Sequence, residues 1–206
     1  MSVDEIIWIL RHEFGDAGSD LDFRNPFELL IAVTLSAQTT DAMVNVVTKP
    51  LFEAYPDAFA LSQALESDVA QIINKIGLYR NKSKFIIAAS KILVDKYDGE
   101  VPKTRKALME LPGVGRKTAN VVLAVGYGIP AIAVDTHVER VAKRLKLAKP
   151  DDSVLVVEQK LMRKINREDW ADAHHLLLLF GRYISKANIK TDAFELLEKL
   201  KEKHEL

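Results

Sequence analysis

Apolar residues recur at the three- and four-residue spacing of a helix along almost the whole of this 206-residue chain. Sustained alternation of apolar and polar residues, the pattern of a half-buried strand, is almost absent. Capping boxes mark two helix starts, one at Ser2 with Glu5 and one at Asn25 with Glu28. The sequence therefore predicts an all-α protein. The second of these helices, "FELLIAVTLSAQ", is apolar nearly all round and is expected at the centre of the fold.

The same periodicity predicts ten further helices. They are expected at about 40–54, 57–65, 67–75, 82–97, 104–110, 116–126, 136–147, 153–165, 168–183 and 191–204. The segment "GIPAIAVDTH" (128–137) departs from helical periodicity, so we expect an extended connector there.

Composition narrows the class of protein. A hydrophobic content of 48% and a mean hydropathy near zero are typical of a packed soluble protein. No apolar stretch approaches membrane-spanning length, and the first residues lack the features of a signal peptide, so we expect a cytoplasmic protein. The sequence has no cysteine, which excludes disulfides and metal sites held by thiolates.

The formal net charge of zero argues against an indiscriminate polyanion binder. This average conceals an asymmetry, because residues 101–149 contain ten Lys or Arg against three Asp or Glu. That segment carries +7 and the remainder of the chain carries −7. Solvated helix faces are the simple explanation, and contact with a nucleic-acid backbone is the functional one.

The stretch "LPGVGRKTAN" (111–120) places two glycines just before an Arg-Lys pair. A nucleotide-binding P-loop needs four residues between its first glycine and its Gly-Lys pair, whereas only Val114 separates these glycines. The spacing excludes that site. A plain turn between two helices remains possible. The other possibility is a helix-hairpin-helix at about 104–126, whose second helix starts with N–H groups that can face a phosphate without reading sequence.

Several motifs together resemble the endonuclease III family of DNA repair glycosylases, within the helix-hairpin-helix glycosylase superfamily. They are "LSAQTTD" (35–41), "IGLYRNKSK" (76–84), "VPKTRKALMELPGVGRKTANVVL" (101–123), "IAVDTHVERV" (132–141) and "HHLLLLFGRY" (174–183). Their order and spacing match the family over nearly the whole chain. The resemblance implies a monomer that acts on double-stranded DNA with damaged bases or abasic sites.

By resemblance, Lys117 is the nucleophile that attacks the sugar C1′ and forms a Schiff base, and Asp135 is the assisting carboxylate. An amine suits this chemistry because an imine acidifies the neighbouring carbon and permits β-elimination of the 3′ phosphate. Seen alone, Lys117 would be a solvated lysine or a phosphate contact. Asp135 would be the N-cap of the helix that follows, a role compatible with catalysis.

Base flipping leaves a hole in the duplex, and Gln38 and Leu78 match the family positions that fill it. Without the family, Leu78 would be an ordinary buried leucine and Gln38 a polar residue at a helix end. The DNA contacts implied by the resemblance are Gly113, Val114, Gly115, Arg116, Thr118, His137 and Arg140. Further cations expected to neutralise phosphates are Arg80, Lys82, Lys84, Lys143 and Arg144.

The chain departs from the family at its iron-sulfur motif, Cys-x6-Cys-x2-Cys-x5-Cys. Aligned on "GRY", the ligand positions fall at Ser185, Asp192, Glu195 and Lys201, so we expect no 4Fe-4S cluster and no other cofactor or metal. The terminal "TDAFELLEKLKEKHEL" predicts an amphipathic helix with Phe194, Leu197 and Leu200 facing inward.

The resemblance also predicts the domains and the reaction. Residues 19–129 would form a six-helix barrel domain, and residues 1–18 with 130–206 a second helical domain. Adenine-specific relatives lack a lysine at position 117, which favours a bifunctional enzyme that removes oxidised pyrimidines. The alternatives are a DNA-binding protein with no catalysis or with AP lyase activity only, and a helical protein-interaction scaffold.

Overall fold

A computed structural model describes residues 1–15 and 18–206. Within these ranges the regular structure is helical and no strand occurs, which confirms the predicted all-α class. The α-helices are α1 (Val3–Phe14), α2 (Pro26–Leu35), α3 (Asp41–Ala54), α4 (Ala58–Ser62), α5 (Glu66–Ile72), α6 (Tyr79–Tyr97), α7 (Arg105–Leu108), α8 (Arg116–Val121), α9 (Thr136–Arg144), α10 (Val154–Lys164), α11 (Trp170–Leu179) and α12 (Ala193–Lys203).

Local side-chain chemistry sets the starts of the first two helices. The Ser2 hydroxyl accepts the N–H of Glu5 at 3.1 Å, and the Asn25 side chain accepts the N–H of Glu28 at 2.9 Å. Both predicted caps are confirmed. The Glu28 carboxylate reaches back to the N–H of Arg24 at 2.7 Å, one residue before the cap. Its N-terminal position in α2 also suits the helix dipole.

The chain divides into two compact units. The middle unit is Ser19–Gly128, and the terminal unit combines Met1–Gly18 with Ile129–Leu206. In the middle unit every residue from Phe27 to Leu35 of α2 is buried, which confirms the predicted burial of this largely apolar helix. Helix α6 packs against α4 and α5, and α2 packs against α3, α6 and α8.

The core of the terminal unit is contributed by α1, α9, α10, α11 and α12. Leu197 and Leu200 of α12 are buried in it, and Phe194 packs against it half-buried, so these inward positions are confirmed. Lys201 of α12 also pairs with Glu5 of α1 at 2.8 Å. The chain end is therefore fastened by apolar packing and by side-chain ion pairs.

Predicted and observed helix bounds differ at several places, and three of these differences involve an unusual backbone conformation. Helix α6 begins at Tyr79 rather than near residue 82, because Leu78 turns the chain in a left-handed conformation directly before it. Helices α8 and α11 continue as π-helical turns at Val122–Gly126 and Phe180–Ile184. A π turn inserts one residue without removing the apolar pattern, so periodicity does not reveal it. Within the described ranges, every helix is too short or too polar to cross a lipid bilayer.

Candidate functional site

The stretch 104–126 forms two helices joined by a tight turn. Thr104 caps α7, the carbonyl of Leu111 accepts the N–H of Val114 at 3.1 Å, and α8 begins at Arg116. Val114 is buried at 7% exposure, which anchors the turn in the middle unit. Gly113 and Gly115 on either side of it are exposed. The observed arrangement is the predicted helix, hairpin and helix.

A side-chain bond that the sequence did not suggest joins the two helices of the hairpin. The Nε of Arg105 in α7 donates to the Oδ1 of Asn120 in α8 at 2.7 Å, and Asn120 is fully buried. A charged donor makes this a strong tie. Arg105 belongs to the basic segment 101–149, so at least one of its cations stabilises the fold.

The two glycines of the hairpin have different structural requirements. Gly113 has φ 79°, and a Cβ there would lie 3.0 Å from the Cβ of Phe85 and 3.2 Å from the Thr34 side chain. Both its conformation and its surroundings therefore require glycine. At Gly115 φ is −90°, and none of the described atoms outside its immediate chain neighbours comes within 4 Å of the Cβ position. The fold itself accepts a side chain at Gly115.

Helix α8 begins with backbone N–H groups that have no acceptor within the helix. No side chain in the described ranges caps it, and the first intrahelical bond runs from the N–H of Ala119 to the carbonyl of Gly115 at 2.9 Å. The N–H groups of Lys117 and Thr118 thus belong to the uncapped first turn. The Lys117 side chain is exposed, and Arg116 and Thr118 are half-buried. This surface combines open donors with a primary amine.

Asp135 lies in the terminal unit, at the start of α9. Its Oδ1 accepts the N–H of Val138 at 2.8 Å, so the N-cap role considered from sequence is confirmed. Asp135 is half-buried. The cap leaves its second carboxylate oxygen for another partner.

His137 and Arg140, on the first two turns of α9, contact each other through His137 Nδ1 and Arg140 Nη2 at 3.2 Å. The same Nη2 donates to the carbonyls of Gly181 at 2.7 Å and Ser185 at 3.2 Å. Gly181 permits this close packing, since a Cβ there would lie 3.0 Å from the Val141 side chain. Arg140 therefore also supports the segment after α11, and its DNA contact stays a prediction.

Gln38 and Leu78 share an unusual geometry. Each has a left-handed backbone, with φ of 55° and 56°, and each side chain is exposed. Leu78 is 61% exposed, so its interpretation as an ordinary buried leucine is wrong. A left-handed conformation is costly for residues with a branched or long side chain, and such outliers gather at functional sites.

Lys82 does not contribute to a phosphate-binding surface, and this expectation was wrong. The residue is only 4% exposed, and its ammonium donates to oxygens inside the middle unit. The basic residues Lys143 and Arg144 are also engaged by the protein. Lys143 pairs with Glu139 at 2.6 Å, and Arg144 donates to Ser185 Oγ at 2.8 Å.

Known proteins with similar sequences identify the family of this chain. The model of the HhH-GPD superfamily base excision DNA repair proteins matches residues 31–167. The endonuclease III of Bacillus subtilis (strain 168) is 57% identical over 176 residues, which cover 84% of this chain and 80% of that protein. The chain belongs to the endonuclease III family. The endonuclease III of Escherichia coli (strain K12) is 46% identical over 179 residues, covering 87% and 84% of the two chains.

Solved structures of the endonuclease III family match the fold. A trapped endonuclease III–DNA covalent intermediate has a TM-score of 0.89 and 50% identity to this chain, covering 98% of this chain and 96% of the other. A non-covalent endonuclease III–DNA complex has the same TM-score at 48% identity, with coverage of 99% and 97%. These chains thus share nearly their entire length with the present one.

Endonuclease III proteins normally carry a 4Fe-4S cluster, and the residues at its ligand positions here do not fit one. Ser185 is fully buried and binds the Arg144 guanidinium. Asp192 caps α12 by accepting the N–H of Phe194 at 2.9 Å. Glu195 pairs with Lys199, and Lys201 pairs with Glu5, each at 2.8 Å. None of these four positions offers a thiolate, and all four side chains bind other groups of the protein.

The remaining described residues do not suggest a different metal. Across residues 1–15 and 18–206, no group of three or more His, Asp or Glu side chains is arranged to hold a metal ion.

Proposed function

We propose that this protein is a bifunctional base-excision repair enzyme, a DNA glycosylase with AP lyase activity that removes oxidised pyrimidines. The observation that carries the proposal is the exposed amine of Lys117 on the uncapped first turn of the hairpin's second helix. Membership of the endonuclease III family supports the same reaction. The protein acts on DNA, so we place it on the nucleoid in the cytoplasm.

In the proposed reaction the Lys117 amine attacks C1′ of the damaged nucleotide. The C1′–N bond breaks, and its electron pair leaves with the base, which takes up a proton. Opening of the sugar and loss of the amine proton leave an imine between Lys117 and C1′. The imine acidifies the C2′ hydrogen, and removal of that proton expels the 3′ phosphate by β-elimination. Water then hydrolyses the imine and frees Lys117.

Asp135 supplies the negative charge for this reaction. Its carboxylate stabilises the cationic sugar as the base departs. One oxygen stays bound to the N–H of Val138, which fixes the orientation of the carboxylate. The cap of α9 and the catalytic group are then the same side chain in two roles.

The hairpin holds a DNA phosphate. The uncapped N–H groups of Lys117 and Thr118 are suitable donors, and Gly115 lets the phosphate approach because no side chain stands there. Arg116 begins the same helix and is the proposed charged contact beside them. Gly113 and Val114 keep the turn in shape. His137 and Arg140 complete the proposed DNA contacts from the terminal unit. In domain terms, we assign the middle unit to the family's six-helix barrel and the terminal unit to its second helical domain.

A pair of glycine substitutions separates folding from DNA binding. Gly113→Ala should destabilise the protein by about 1–3 kcal/mol, because alanine is strained at positive φ and its Cβ contacts Phe85. Gly115→Ala should change stability by less than about 0.5 kcal/mol, since φ is ordinary and the space is open. It should nevertheless weaken binding to an abasic duplex about tenfold, or roughly 1.4 kcal/mol. Thermal unfolding and binding at fixed salt measure both effects. Unchanged binding by Gly115→Ala would contradict the hairpin contact.

We also propose that the protein folds and functions without a 4Fe-4S cluster. In place of thiolate–iron bonds, Arg144 fastens the segment after α11 by donating to Ser185 Oγ and to the carbonyl of Thr191. Purified protein should contain no stoichiometric iron by elemental analysis. Arg144→Met should lower stability by about 1–3 kcal/mol because it leaves those acceptors unpaired, whereas Arg163→Met, on an exposed part of α10, should not. Stoichiometric iron in active protein would refute the proposal.

Borohydride trapping tests the proposed reaction, because reduction of the imine links protein and DNA permanently. The purified protein should form this adduct, and cleave the strand, with duplexes that hold an oxidised pyrimidine or an abasic site. An adduct with the abasic duplex alone would favour the lyase-only alternative. Salt-dependent DNA binding without any adduct would favour the non-catalytic alternative, and no binding at all would favour the interaction scaffold.

A further inference from the structure

Lys82 is a buried lysine whose three N–H donors are all used. Its Nζ lies 2.9 Å from the carbonyl oxygen of Leu35, 2.7 Å from that of Ala37 and 3.0 Å from Thr39 Oγ1. Only 4% of the residue is exposed. Desolvation by burial lowers the pKa of the ammonium. The three oxygens provide the hydrogen bonds that a buried cation requires.

These acceptors all belong to the end of α2 and the loop that follows it. Helix α2 ends at Leu35, and Ala37 and Thr39 are the two immediate neighbours of Gln38. Lys82 therefore holds the loop on both sides of one residue. Between these two fixed points, Gln38 has its left-handed backbone and an exposed side chain.

The backbone of Lys82 is bound to the second left-handed residue. Its N–H donates to the carbonyl of Leu78 at 3.0 Å, which closes the first turn of α6. Leu78 has φ 56° and is 61% exposed. One residue is thus bonded through its side chain to the neighbours of Gln38 and through its main chain to Leu78.

We infer that Lys82 is a positioning residue that holds Gln38 and Leu78 in the conformations needed to fill the hole left by a flipped base. The inference rests on the proposed glycosylase function. Neither left-handed residue is favourable by itself, and each persists only where the surrounding structure fixes it. Lys82 orders both before DNA arrives, so insertion into the base stack does not have to order them then.

Two substrates distinguish a positioning role of Lys82 from a purely structural one. A paired oxidised base must be unstacked and replaced, whereas an abasic nucleotide leaves the helix at little cost. Activity on the paired lesion should therefore depend on Lys82 far more than cleavage at an abasic site. A purely structural role would reduce both activities alike.

Lys82→Met keeps the length of the side chain and removes its donors. We expect it to lower kcat/KM on a duplex with one oxidised pyrimidine by about 10- to 100-fold, because small displacements of Gln38 and Leu78 have effects of that size. Cleavage at an abasic site should change less than about threefold. Lys91→Met is the control, because it removes the same charge from an exposed position of α6. Thr39→Val removes one of the three acceptors and keeps the side-chain shape, so it should act in the same direction more weakly even if Lys82→Met folds poorly.

Hydrogen exchange in the free variants gives a second readout. Amides of residues 36–40 should exchange faster in Lys82→Met than in Lys91→Met. Equal exchange there, or a parallel loss of both activities in Lys82→Met and Thr39→Val, would overturn the inference. A wild-type protein that cleaves neither substrate would instead refute the proposed function, and the exchange rates would still decide whether Lys82 orders the loop.

Discussion

Lys117→Gln should abolish the borohydride-trapped adduct and reduce strand cleavage on the order of 10³-fold or more, as expected when a covalent nucleophile is removed. Glutamine has no nucleophilic amine, so no imine can form. The change lies on an exposed side chain in the first turn of α8, and the fold should therefore be retained. Gel analysis of the reduced complex measures the adduct, and single-turnover kinetics measure the cleavage.

Loss of a positive charge is the competing explanation for such a result. The control is Lys106→Gln, which removes a positive charge from an exposed position on α7, the other helix of the same hairpin. This variant should retain activity within about threefold. The comparison isolates the chemistry of the amine from its charge. An adduct formed by Lys117→Gln at the wild-type level would assign the nucleophile to a different residue.

Asp135→Asn should lower the rate of base excision by about 10²- to 10⁴-fold, the range for loss of a charged catalytic group. Asparagine is as good an N-cap as aspartate, so the bond to the N–H of Val138 and the start of α9 should survive. Thermal unfolding should therefore change little while catalysis falls. Single-turnover excision of an oxidised pyrimidine provides the measurement.

Asp192→Asn is the matched control, because Asp192 likewise caps a helix of the terminal unit and has no proposed contact with substrate. It should be as stable and as active as the wild type. Near-normal excision by Asp135→Asn would mean that this carboxylate is a cap and nothing more.

Features governed by neighbours in sequence were predictable. The caps at Ser2 and Asn25 depend on residues three positions away, and the burial of α2 follows from its largely apolar composition. The hairpin is predictable for the same reason, since its glycines and flanking helices are contiguous. The same local interactions occur in many proteins because a short segment of chain has few alternative conformations.

Interactions between distant segments were not predictable from periodicity. Lys82 meets its acceptors 43 to 47 positions earlier in the chain, and in the sequence it is indistinguishable from a solvated lysine. Arg140 and Arg144 bind carbonyls and a hydroxyl more than 40 positions later. A long basic side chain can extend to solvent or fold inward, and only its tertiary surroundings decide which. The left-handed backbone at Leu78 was not predictable either, because the glycine of this turn is Gly77 and the positive φ falls on the leucine after it.

The contacts of Arg144 are made by groups that oxidants do not readily change. Peroxide and related oxidants damage both DNA bases and iron-sulfur clusters, and they convert thiols stepwise to acids. Here the segment after α11 is held by a guanidinium bonded to oxygen atoms, and the sequence contains no cysteine. None of those groups changes its oxidation state in such an environment. If the protein works without a cluster, as proposed, repair would continue during an oxidative burst or iron starvation for as long as the polypeptide is present.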